Sequence, residues 1–279
     1  MNRLSIQKRV QIINALVEGS SLRSTSRMAE VSINTVSKLL VDIGKVCSEY
    51  QNKPLRNLPC KRIQCDEIWS FCYAKDRNVP EDKKDQFGFG DIWTWTAICA
   101  DTKIVASWFV GTRDANSAYD FMLDLQSRLK NRVQLTTDGL KAYLQAVNST
   151  FGIDIDYAIL IKLFGSTSKE EKRYSPAKYI GVEKRVITGR PEQKHVSTSY
   201  VERQNLTMRM SMSMRRFTRL TNAFSKKLEN HIHAISLHFM YYNFCRIHKT
   251  FRVTPAMKAG VSDHVWGVEE IIALLDNSN

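Results

Sequence analysis

The sequence predicts an α/β protein in which a mixed sheet is flanked by helices, with an all-α helix-turn-helix unit ahead of it. Three observations carry that expectation. The first 45 residues repeat apolar side chains at helical spacing; beyond residue 62 the period shifts to that of strands and then alternates strand with helix; and charge is partitioned along the chain. Residues 1–62 carry a net +7, 63–170 a net −3, 171–260 a net +13 and 261–279 a net −4, giving +13 for the 279-residue chain. A mildly acidic centre between basic flanks suits a polyanionic partner, because clustered Lys and Arg gain free energy by releasing counterions from nucleic acid.

In order, "SIQKRVQIINALVEG" places Val10, Ile12, Ile13 and Leu16 near one face and stops at Gly19. Ser21 and Ser32 are positioned to cap two further helices across the Val31-Ser32 turn, which predicts a helix-turn-helix. Ile33, Asn34, Thr35, Ser37 and Lys38 then stand at the exposed start of the second helix, and Asn34, Thr35 and Lys38 are its candidate DNA contacts. A plain helical hairpin is the alternative. Residues 46–61, with two prolines and no period, predict a linker.

"RIQCDEIWSFCYA" and "IWTWTAICADTKIVASWFVG" predict a three-stranded antiparallel meander. "SAYDFMLDLQSRL" predicts a helix capped by Asn116 or Ser117; "VQLTTDG", "LKAYLQAVNSTFG" and "IDYAILIKLFG" follow as strand, helix and strand. Residues 165–199 lose all period and are expected to form a basic insertion. A helix is expected from Ser199, with no single helix through the alternating Met208, Met210, Met212 and Met214, and another across 223–246. Residues 261–279 read as a short acidic C-terminal helix with no assignable role. The six cysteines form no CxxC pair, and the N-terminus lacks an unbroken apolar run, so reduced thiols in a cytoplasmic, nucleoid-associated protein are expected, with no membrane span. No GxxxxGK[ST] loop is present.

Three carboxylates fall at element ends: Asp66 in the first strand, Asp138 at the tip of the fourth and Glu202 near the start of the later helix. Strand parity sets Asp66 and Glu67 on opposite faces, so Glu67 is assigned a supporting or structural place. Singly each acid is ambiguous: Asp138 before Gly139 suits a turn or cap, Asp66 a buried ion pair, Glu202 a partner for Arg203 or Lys194.

The motifs "CDEIWSF", "TTDGLKAY", "YVERQNLTMR" and "RIHKTFRVTPAM", in this order over residues 60–260, resemble those of bacterial insertion-sequence transposases of the insertion-sequence-one type. Those are DDE transposases with a ribonuclease-H-like catalytic core. The resemblance implies a DDE catalytic domain over 62–260, with Asp66, Asp138 and Glu202 as metal-binding catalytic triad. Mg²⁺ or Mn²⁺, as two ions, is the implied cofactor, and hard oxygen ligands suit either. It further implies that Asn205, Arg209, His248 and Lys249 touch DNA, joined by Arg216 if the helix continues that far, that the partners are terminal inverted repeats and target DNA, and that the protein works as a homodimer or higher oligomer. Two alternatives stay open: a domesticated DNA-binding regulator without catalysis, and a nuclease of the same fold acting on RNA·DNA hybrids.

Overall fold

The computed structural model describes residues 4–165, 179–210, 217 and 224–278. Helices α1 (Ile6–Val17), α2 (Leu22–Ala29) and α3 (Ile33–Gln51) open the chain. The Ser21 hydroxyl accepts from Ser24 N–H and the Ser32 hydroxyl from Thr35 N–H, which satisfies donors that the first helical turn leaves unpaired. Gly19 takes a left-handed φ of 86° directly after α1, where a Cβ would be strained.

α3 runs on to Gln51, so the first residues of the expected linker are helical. The cause is tertiary. Val46, Cys47 and Gln51 are buried, and α3 packs along α7 (Leu228–Met240) so closely that a Cβ on Gly44 would lie 2.5 Å from the His233 carbonyl oxygen. Ser236 Oγ donates to Gly44 O at 2.7 Å, and Gln51 Nε2 to Ser236 O at 3.2 Å. The C-terminal helix α8 (Val268–Asn277) packs on α1 and α3, and Asp276 receives both terminal nitrogens of the buried Arg9. The acidic tail thus has a structural place, and one apolar core runs from the N-terminal helices into the sheet.

Strands β1 (Arg62–Cys72), β2 (Gly90–Cys99), β3 (Val105–Gly111), β4 (Gln134–Thr137), β5 (Asp156–Phe164) and β6 (Tyr179–Thr188) form one sheet in the order β3-β2-β1-β4-β5-β6. The meander is antiparallel, β4 runs parallel to β1 and β5, and β6 is antiparallel to β5. With helices on both faces this is the ribonuclease-H-like mixed sheet that the sequence predicts. α4 (Ala115–Arg128) and α5 (Lys141–Phe151) pack together on one face, where Tyr143 and Phe121 meet Trp95; α6 (Ser199–Met210) lies against β1 and β2 on the other.

Three expectations are corrected. The cap of α4 is Asp114, accepting from Ser117 N–H at 2.8 Å, not Asn116 or Ser117. The aperiodic 165–199 contains β6, whose side chains are nearly all exposed and so show no alternation; residues 166–178 lie outside the described residues. The helix expected over 223–246 begins only at Leu228. Of the methionine run, Met208 is buried in α6, and 212 and 214 lie outside the described residues. Among the described residues no helix is long and apolar enough to cross a membrane.

Candidate active site

A cleft of about 840 Å³ opens between the middle of β1, the C-terminal ends of β4 and β5 and the α6 helix, lined among others by Asp66, Glu67, Asp138, Glu202, Asn205 and Arg209. β1 delivers two acids to it. The even-numbered side chains face α6: Gln64 Oε1 accepts from Tyr200 and Val201 N–H, and Asp66 Oδ2 accepts from Asn205 Nδ2 at 2.8 Å. The odd-numbered Glu67 faces α5, where it accepts from Tyr143 Oη at 3.2 Å and Arg113 Nε at 2.8 Å. Parity is as the sequence predicts, yet both carboxylates reach one cleft, where Glu67, expected in a supporting or structural place, stands beside Asp66. β4 ends at Thr137, and continuing its register from Gln64↔Thr136 sets Asp138 beside Asp66, where no strand among the described residues pairs with that edge of β1. Side chains from either face can meet around an open edge. Asp66, Glu67 and Asp138 each offer a carboxylate oxygen, all within 4.8 Å of one another.

Glu202 lines the same cleft but stands outside that trio. Its Oε2 receives Lys162 Nζ at 2.5 Å and its Oε1 receives Thr198 Oγ1 at 2.5 Å. Asp138 Oδ1 accepts from Leu140 N–H at 2.9 Å, so the turn-forming role considered for this residue coexists with its place in the cleft.

Electrostatics set Asp66 and Glu67 apart. Burial pushes the Asp66 carboxyl up to about 7, and the charges of Glu67, Asp138 and Glu202 add to it. Glu67 is raised by burial and by Asp138, against the opposing pull of Arg113 and Tyr143. Crowded acids of this kind are costly without a cation and stabilised by one. The donor set fits a hard divalent ion: carboxylate oxygens, plus Asn205 Oδ1, a buried acceptor with no hydrogen-bond partner among the described residues.

The remaining sequence-predicted residues divide. Asn205 and Arg209 line the cleft. Asn34 and Lys38 are exposed on α3; Thr35 is half-buried with its hydroxyl 2.8 Å from that of Ser32. His248 stacks on Phe251 at 4.8 Å in the loop after α7, where burial holds its imidazole pKa low, and neither it nor the exposed Lys249 lines the cleft. Arg216 lies outside the described residues. Sequence reasoning missed Arg113, Tyr143, Lys162 and Thr198. Only Lys162 left a signal, as a lone cation inside the apolar run "AILIKLF".

No protein-family model and no curated protein matches the chain. Solved structures similar to it include the Mos1 transposase paired-end complex with left transposon end, at 12% identity and a TM-score of 0.23, over 56% of this chain and 60% of that one. The Mos1 strand transfer complex is similar at 12% identity and TM-score 0.25, over 86% and 76% of the two chains. A piggyBac transposase synaptic complex with hairpin DNA is similar at 11% and 0.41, over 99% and 71%. The chain thus spans about 60% of the length of the first of these.

Proposed function

We propose that the protein is a DDE-type DNA transposase of the insertion-sequence kind, cutting strands at transposon ends and joining the freed 3′-hydroxyl to target DNA. The observation that carries the reading is the convergence of Asp66, Asp138 and Glu202, remote in sequence, on one cleft between basic flanks. Asp66 and Asp138 would hold the first divalent ion, with Glu202 completing the centre. Bound there, a pair of Mg²⁺ or Mn²⁺ ions would supply an activated oxygen nucleophile and charge relief on the leaving oxygen. The chain's own part is positional: Asn205 Nδ2 fixes the Asp66 carboxylate, Leu140 N–H fixes Asp138, and Arg209 offers a cation to the phosphate backbone. α3, with Asn34, Thr35 and Lys38 at its N-terminal end, is the element suited to a major groove, in the manner of a helix-turn-helix. Concerted action at two ends calls for at least two copies on DNA.

Mg²⁺-dependent nicking and strand transfer on terminal-repeat duplexes test this. Asp66→Asn, Asp138→Asn and Glu202→Gln are each expected to bind DNA like wild type but to cut at least ~1,000-fold more slowly, a loss of roughly 4 kcal/mol of transition-state stabilisation. Wild type that binds terminal DNA and never cuts it would favour a non-catalytic regulator instead.

A further inference from the structure

Two acids in the cleft carry a cation apiece, and the pairs are built differently. Glu67 has a side chain only 1% exposed, held by two guanidinium nitrogens of Arg113 and by Tyr143, while the Arg113 plane rests 4.7 Å from the Trp93 ring. The carboxylate of that pair is enclosed and held at several points, although the Arg113 side chain is itself 41% exposed. Glu202 and Lys162 are 37% and 40% exposed and joined by one contact. An ion pair so open to water contributes little to stability, and an ammonium on a flexible four-carbon stem moves readily to another anion. The contact nevertheless has a geometric effect. With Lys162 on one oxygen and Thr198 on the other, both Glu202 oxygens are engaged, and Glu202 stands outside the trio formed by Asp66, Glu67 and Asp138.

The anion this cleft is suited to admit is a phosphodiester, since Lys141, Arg113 and Arg209 line it together with Lys162. Building on the transposase reading, we propose that Lys162 is a positioning residue for which Glu202 and a DNA backbone phosphate compete. Without DNA, the Lys162 ammonium keeps Glu202 turned from the other acids. A phosphate entering the cleft takes the ammonium and releases Glu202 toward the ion held by Asp66 and Asp138. Ion binding and DNA binding are then positively coupled through one side chain, and the coupling is reciprocal.

The test is a double-mutant cycle on Mn²⁺ affinity in the absence of DNA, read by the loss of free-Mn²⁺ paramagnetic resonance signal from full-length protein. Glu202→Gln is expected to change Mn²⁺ affinity less in the wild-type background than in the Lys162→Met background, because Glu202 is withheld only while Lys162 is present. Lys162→Met is expected to tighten Mn²⁺ binding by roughly 5-fold or more, and adding Glu202→Gln to it should abolish that gain. Lys162→Arg, which keeps a cation in place, should behave as wild type. Lys162→Met should also weaken binding to a short duplex and lower the salt slope by about 1. The proposal is overturned if Lys162→Met leaves Mn²⁺ affinity unchanged, or if the double variant keeps the whole gain, since loss of a nearby positive charge would then account for it. Failure of the underlying reading looks different: wild type would bind Mn²⁺ no better than Asp66→Asn and would cut no DNA, and the Lys162 proposal would fall with it.

Discussion

β1 and β5 line the same cleft from opposite kinds of surroundings. β1 lies between β2 and β4 in the middle of the sheet, with α6 on one face and α5 on the other, and its two acids are held by Asn205, Arg113 and Tyr143. β5 is buried only over its first half; beyond Ile161 it emerges to solvent beside β6, whose side chains are almost all exposed. On the proposed reading, the acids that would hold an ion sit where packing leaves little freedom, and the cation that would exchange partners sits where water makes exchange cheap. The difference suggests a site made of a rigid half and an adjustable half.

Removing a cation from each half should sharpen that contrast most. Arg113→Met leaves the buried Glu67 carboxylate without its counter-charge and is expected to lower stability by about 2–3 kcal/mol, limited by the ease with which Glu67 takes a proton. Lys162→Met, in the exposed half, is expected to cost less than ~1 kcal/mol. Chemical denaturation of the two variants side by side decides it, and equal losses would break the comparison.

A second kind of effect concerns pH. Burial raises Asp66 from 3.8 to about 7, so the folded ion-free protein binds a proton that the unfolded chain has released across that window. The associated stability is fully present below about pH 4 and is lost as pH rises through 7. The melting temperature of ion-free protein should therefore fall between pH 5 and 8, and Asp66→Asn should flatten that slope. The smallest effect belongs to the outer edge: Ile180→Lys on β6 is expected to change stability by no more than ~0.5 kcal/mol.

The sequence spoke clearly wherever one face of an element is buried or a local cap is made. Ser21 and Ser32 cap as expected, and the strand and helix order through β5 matches the pattern of the chain, because burial on one side imposes a period. β6 was invisible for the converse reason, since a strand wet on both faces carries no alternation. The reach of α3 to Gln51 depends on α7, almost two hundred residues away, and no local signal reports it. The three acids named from sequence line one cleft, but the part of Glu67 was hidden. Parity describes a strand between neighbours, and Glu67 stands where β4 has stopped. Arg113 and Lys162 are loop and strand-end cations whose partners only the fold selects.

The central claim, that Asp66 and Asp138 hold a catalytic divalent ion, is tested most directly by anomalous scattering from Mn²⁺-soaked crystals of the DNA-free protein. The account predicts a peak within bonding distance of both carboxylates in wild type and none in Asp66→Asn. A cleft empty of Mn²⁺ at saturating concentration, in protein that still cuts DNA, would contradict it.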